Sequence, residues 1–264
     1  RFTYTYVKAQ YDNAVKLGKV DTFNQELMLR IMSDEDRVIK DGDIGWYKID
    51  AVLRNKSRFN FYITTDFATS VKQKSDYSAI NVWAYNNVGD WLWVDGICAR
   101  QLMDKNIDDL FRLAQMYKPQ SVGIEVTGQQ GGFIPWVHAQ MMERNIYFPL
   151  ASENNDNSPG IRPNTNKMVR FSTVIPLFKT RKMYFPIERK KEFPLQEMIS
   201  ELSLVSVGGF KSKHDDQLDT ISMLSSMKAW KPSEEAPMVE NKGNGMWDID
   251  IEEEPGNRRD SYIV

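Results

Sequence analysis

Between Phe59 and Trp230 the chain alternates apolar runs short enough for strands with polar-faced stretches long enough for helices. "FNFYITTD", "YSAINVWAY" and "WLWVDGIC" are rich in aromatic and β-branched residues and predict three consecutive strands, with "NNVGD" as turn chemistry between the second and third. Such a run predicts an antiparallel meander. Ile107, Leu110, Phe111 and Ala114 recur at helical spacing, so a helix is expected from about Asp104 to Tyr117, ended by Lys118-Pro119. "SVGIEV" predicts a fourth strand, "GQQGGF" leads into a helix from about Phe133 to Arg144, and "NIYFPL" predicts a further strand. A polar, proline-bearing loop, "ASENNDNSPGIRPNTN", then precedes a helix from Lys167 to Lys179, a strand at "KMYFP" and a helix from about Phe193 to Leu204. A last helix begins near Asp215 and runs into the apolar stretch Ile221 to Trp230.

Upstream the pattern is poorer. A helix is expected from Thr22 to about Ile31, started by Asp21 and Thr22, then a loop at "KDGDIGW" and a short helix around Ile49 to Leu53, with no strand rich enough to found a sheet. The expected organisation is a lead-in over residues 1–57, a folded unit over 58–231 and an acidic, disordered tail over 232–264. The element order makes the unit α/β, an antiparallel three-strand meander joined to parallel crossover strands in one mixed sheet flanked by helices.

Composition adds limits. No apolar run approaches the roughly 20 residues that span a bilayer, and the opening "RFTYTYVKAQ" has no apolar signal stretch. A lone cysteine, Cys98, excludes an internal disulfide framework and a cysteine-built zinc site; it reads as a small core residue in an intracellular protein. The net charge of −2 is unevenly spread: from Pro232 on, nine acids face three bases, which leaves the rest at +4. Mild positive charge on the body is compatible with a phosphate-bearing partner.

Three groups of acids break the apolar pattern. Asp66 ends "FYITTD" on the first predicted strand, and Glu125 sits inside "SVGIEV" on the fourth. A carboxylate among core residues must be paired, protonated or metal-bound. The first and fourth strands of such a sheet are neighbours, so the two acids are expected to meet near their strands' ends. Asp215, Asp216 and Asp219 open the last helix, where Asp215/Asp219 or Asp216/Asp219 share a face, although one acid there also suits a helix cap. With one cysteine and two histidines in the chain, the cations that suit such a cluster are the oxygen-seeking Mg2+ and Mn2+. Two of them would stabilise the attacking and leaving oxygens of a displacement at phosphorus. His214 precedes the acids as a proton shuttle, a ligand or a structural residue; His138 reads as structural.

With "YITTDFATS", "SVGIEVTG" and "HDDQLDTIS" in this order, the chain from about Phe59 to Trp230 resembles the carboxyl-terminal nuclease domain of the large terminase subunit of tailed bacteriophages. That resemblance implies an RNase H-like fold and a nuclease that cuts concatemeric double-stranded DNA during genome packaging, with an acidic triad and divalent metal. Carried over by motif, the triad is Asp66, Glu125 and a third acid in Asp215-Asp216, with Asp219 as an auxiliary and Asp76 as a secondary acid; His214, from its place before the acids, is a further auxiliary candidate. "NKMVRFSTVIPLFKTRKMYFP" resembles the family's basic helix and strand, which makes Lys167, Arg170, Lys179, Arg181 and Lys182 candidates for DNA backbone contact. By the same resemblance the partners are the portal, the small terminase subunit and an ATPase domain, acting in the cytoplasm of an infected bacterium. No G-x-x-x-x-G-K-[ST] loop is present, so no ATP site is expected here and the lead-in is expected to join a missing motor. The alternatives are another RNase H-like nuclease, such as a Holliday-junction resolvase, or a non-catalytic DNA or protein docking module.

Overall fold

The computed structural model describes residues 3–19, 23, 36–68, 76–126 and 133–232. The expected helix from Thr22 to Ile31, apart from Phe23, and the tail from residue 233 lie outside them. The strands are β1 (Gly45–Tyr47), β2 (Asn60–Asp66), β3 (Ser78–Tyr85), β4 (Trp91–Ala99), β5 (Ser121–Ile124), β6 (Ser152–Glu153), β7 (Gly160–Ile161), β8 (Met183–Pro186), β9 (Val205–Ser206) and β10 (Gly209–Phe210). The α-helices are α1 (Tyr4–Leu17), α2 (Asp50–Leu53), α3 (Met103–Tyr117), α4 (Phe133–Arg144), α5 (Lys167–Ser172), α6 (Ile175–Lys179), α7 (Phe193–Ser203) and α8 (Asp216–Ser222).

Six strands form one mixed sheet in the order β1-β8-β4-β3-β2-β5. β2, β3 and β4 are the expected antiparallel meander, and β5 lies parallel to β2 on its far side. This is the mixed sheet flanked by helices that the element order implies. One face packs Ile63, Ile80, Val82 and Val94 against Ile107, Leu110 and Phe111 of α3 and Val137 of α4. The other packs Tyr62, Trp83 and Trp93 against Leu195 and Leu202 of α7 and Leu218 and Ile221 of α8. Each such buried side chain stabilises the fold by about 1.5–3 kcal/mol. Both indoles also satisfy their N–H: Trp83 donates to Thr64 Oγ1 at 2.9 Å and Trp93 to Asn81 Oδ1 at 2.6 Å.

Four expectations are corrected. The segment before residue 58 does contribute a strand, since β1 pairs in parallel with β8 at the sheet edge. Three residues starting with glycine carry too little pattern to be seen, and Gly45 is needed because a Cβ there would lie 2.5 Å from the Tyr184 ring. "NIYFPL" shrinks to a single bridge between Leu150 and Val122, because Pro149 has no N–H to extend the ladder. The helix expected over 167–179 breaks into α5 and α6, with Pro176 in the first turn of α6, where its missing N–H is tolerated. The last helix stops at Ser222 and tightens to a 3-10 turn over Met223–Ser226. Trp230 packs edge-on against Tyr62, 6.0 Å between ring centres, and donates its backbone N–H to the Tyr62 hydroxyl at 3.1 Å.

Candidate functional site

The register of β2 and β5 ends with Thr65 opposite Ile124, which leaves Asp66 and Glu125 side by side at the carboxyl ends of two parallel strands. Open α/β sheets hold ligands at such ends. On its other side Glu125 bridges to Ile161, where Val126 donates to the Ile161 carbonyl at 2.9 Å. Gly123, two residues earlier, lets the chain after α8 come close: a Cβ there would lie 2.6 Å from Met223 Sδ and 2.8 Å from Met227 Sδ.

Buried polar contacts fix α8 across β2 and β3. Asn81 on β3 donates to Gln217 Oε1 at 2.6 Å and Thr220 Oγ1 at 2.8 Å, while its own oxygen accepts from Trp93. From α7, Glu201 Oε2 accepts the backbone N–H groups of Gln217 at 3.0 Å and Leu218 at 3.1 Å. The capping role open to Asp215 or Asp216 therefore falls to Glu201, and Asp215 makes no side-chain cap bond of its own. Glu201 is 1% exposed, and burial drives its carboxyl well above the usual range. Neither Asn81 nor Glu201 stood out in the sequence, although "MISELSLV" carries the same signal as Asp66, an acid inside an apolar run.

α5 carries the opposing charge, its first turn capped by Asn166, which accepts from Val169 N at 2.9 Å. Arg170 donates through Nη1 to Glu125 Oε2 at 3.1 Å and through Nη2 to Asp219 Oδ1 at 2.9 Å. Lys167 Nζ reaches Asp219 Oδ2 at 2.6 Å and Asp215 Oδ1 at 2.8 Å. Burial would lower the Lys167 pKa, but Asp219 and Asp215 raise it. Among the described residues no ion pair reaches Asp66. Burial, then the charges of Asp219, Glu125 and Asp216, push its carboxyl well up against a smaller opposing pull from Lys167. Asp219 is raised by burial in spite of Lys167 and Arg170.

Asp216 faces another way. Its Oδ2 accepts the Tyr77 N–H at 2.9 Å, and ligand atoms of Asp216, Asp76 and His214 lie within 4.8 Å of one another. His214 Nδ1 is 3.4 Å from Asp76 Oδ1, its ring sits edge-on to Tyr77, and Arg100 Nη2 is 3.4 Å from Nε2. Among the described residues this is the one set of three acid, histidine or cysteine ligands that close together. The carboxylates around Arg170 stand wider. Burial, reinforced by the charges of Asp76 and Asp215, raises Asp216 from 3.8 to about 7 against the Tyr77 N–H. The folded chain thus keeps a proton that the unfolded chain releases above 3.8, so this group's contribution to stability is full below that pH and lost as pH rises through about 7. Asp216→Asn keeps the acceptor and removes the charge. In EDTA its melting temperature relative to the parent is expected to rise from about pH 4 to about pH 8; a constant difference across that range would contradict the assignment.

The candidate phosphate contacts divide. Lys167 and Arg170 sit among the acids. Lys179 pairs with Asp43 at 2.5 Å, and Lys182 pairs with Asp90 at 2.9 Å and follows Arg181 into β8. Met183 lies opposite Trp91, Trp91 opposite Tyr85 and Tyr85 opposite Asn60, which places Lys182 at the far end of β2, roughly 20 Å along the strand from Asp66.

An all-carboxylate set of Asp66, Glu125 and Asp219, with Asp216 beyond, has the oxygen chemistry that Mg2+ and Mn2+ take. Its wide spacing suits an ion held by one or two carboxylates with water completing the shell, as Mg2+ prefers. The residues present fit a divalent ion.

No family model matches the chain, and no curated protein matches it. Solved structures similar to it include the human cytomegalovirus terminase nuclease domain soaked with manganese, at 13% identity and a TM-score of 0.49 over 75% of this chain and 96% of that one. Another is the large terminase nuclease of thermophilic phage G20c with bound cobalt, at 15% identity and a TM-score of 0.43 over 62% and 79%. A third is the HK97 bacteriophage large terminase, at 11% identity and a TM-score of 0.36 over 83% of this chain and 50% of that one.

Proposed function

We propose that this chain is the nuclease unit of a viral genome-packaging terminase, a divalent-metal-dependent endonuclease that cuts concatemeric double-stranded DNA. The observation that carries the reading is the meeting of Asp66, Glu125 and the acids of α8, far apart in sequence, at the carboxyl ends of β2 and β5. Asp66, Glu125 and Asp219 would hold Mg2+ or Mn2+, with Asp216 beside them. The ion supplies an activated water and charge stabilisation at the scissile phosphate. Asp219 takes the place first given to Asp215-Asp216 in the triad, because Arg170 binds it together with Glu125. Asp215 holds Lys167, while Lys179, Arg181 and Lys182 steer the phosphodiester backbone at a distance.

No helix among the described residues is long and apolar enough to cross a membrane, and the proposed setting is the cytoplasm of an infected host. The nuclease unit begins by residue 36, since β1 joins its sheet and Val38 donates to the Val205 carbonyl. Tyr11 of α1 also packs on this unit, donating to the Gln196 carbonyl, and an ATPase domain, the portal and the small terminase subunit are its proposed partners.

The test is cleavage of linear plasmid DNA. Cutting is expected with Mn2+ or Mg2+, with little sequence preference, and is abolished by EDTA. Faster cutting of four-way junctions would favour a resolvase; DNA binding without cutting in either metal would leave a docking module.

A further inference from the structure

Arg170 lies where two carboxylates of a metal centre would otherwise have to be bridged by a cation. It donates one nitrogen to Glu125 and the other to Asp219, from a side chain only 18% exposed. Its Nε is buried with no hydrogen-bond partner among the described residues, so the guanidinium is committed to these two acids. Lys167 repeats the arrangement one turn earlier, bridging Asp219 and Asp215. Both cations project from the same short helix, three residues apart, as neighbours on one face. Glu125, Asp219 and Asp215 are therefore each paired with a built-in cation, whereas among the described residues no ion pair reaches Asp66.

We propose that Arg170 and Lys167 are internal counter-cations standing in the place of one of the two metal ions expected from the acid cluster, so that this centre takes a single divalent ion, seated on Asp66. Removing either partner of a buried ion pair leaves an uncompensated charge, so the carboxylates freed by losing these cations would recruit a metal instead. Arg170 is then a positioning residue for Glu125 and Asp219. This inference rests on the metal-dependent reading above but is separable from it.

The experiment counts Mn2+ bound per chain by the loss of free-ion electron paramagnetic resonance signal, on the full chain without DNA. The count is repeated in a His214→Ala background to remove the Asp76–His214–Asp216 cluster as a seat. One tight ion is expected in the parent and in His214→Ala, and two in Lys167→Met/Arg170→Gln. Arg170→Lys, which keeps a cation, is expected to stay at one ion and guards against loss of fold in the double variant. Two ions in both the parent and His214→Ala would overturn the inference and leave the nuclease reading standing. One ion in a folded double variant, or an ion lost in His214→Ala, would also overturn it. No ion in any form would overturn it together with metal dependence.

Discussion

Asp66→Asn is expected to lose DNA cleavage by at least about a thousandfold in Mn2+, since a ligand that positions a catalytic ion underlies several kcal/mol of barrier lowering and each 1.36 kcal/mol is a factor of ten in rate. The variant should nevertheless fold as well as the parent. Asp66 is buried among the charges of Asp219, Glu125 and Asp216, and its carboxyl is driven well above its ordinary 3.8. A raised acid contributes stability below the unfolded pKa and loses it as pH rises through the folded value. At neutral pH in EDTA the parent therefore lacks stability that a neutral asparagine keeps. The expected pairing is lost cleavage with an unchanged or higher melting temperature, read by a gel assay and a thermal melt. Cleavage within tenfold of the parent would remove Asp66 from the site, whereas a collapse in melting temperature would make it structural.

Glu201→Ala is the substitution expected to damage the fold most, because it strips the acceptor from two buried backbone donors at the start of α8. Buried donors left without a partner cost about 1–3 kcal/mol each. A loss of about 2–4 kcal/mol in total corresponds to a drop on the order of 10 °C for a chain of this size. Glu201→Gln keeps a carbonyl oxygen in the same place without a charge, and the burial that drives the Glu201 carboxyl upward favours a neutral group there. Glutamine is therefore expected to stay within about 1 kcal/mol of the parent. Thermal melts of both variants check this. Cleavage should follow the same order, because α8 presents Asp216 and Asp219. Equal damage from alanine and glutamine would mean that Glu201 acts otherwise than as an acceptor for the helix.

The meander and β5 could be read from residue pattern because strands covered on both faces need continuous apolar sequence, as in "SAINVWAY". The helical stripe Ile107, Leu110, Phe111 and Ala114 was legible for the same reason, and all four side chains are buried. β1, the β6–β7 pair and the β9–β10 hairpin were not legible. Each is two or three residues long and is a strand only because a partner lies beside it. α1 escaped because few of its side chains are buried, and Tyr11 docks it by donating to the Gln196 carbonyl.

In the site, Asp66 and Glu125 announced themselves as acids inside apolar runs, and their adjacency followed from strand order. The division of labour among Asp215, Asp216 and Asp219 did not. Helical spacing allows two pairings, and the direction each acid faces is set by contacts from distant segments, Tyr77 for Asp216 and Arg170 for Asp219. The basic residues of α5 read as a DNA-facing stripe, yet proximity in three dimensions turns Lys167 and Arg170 toward the acids. Charge sign was legible in the sequence, but partner choice was not.

The most direct check is the position of manganese in crystals soaked with it, read from anomalous scattering. A peak on the Asp66 carboxylate, shared with Glu125 or Asp219, is the predicted result. Anomalous density confined to Asp76 and His214, or absent beside Asp66 at saturating manganese, would contradict it.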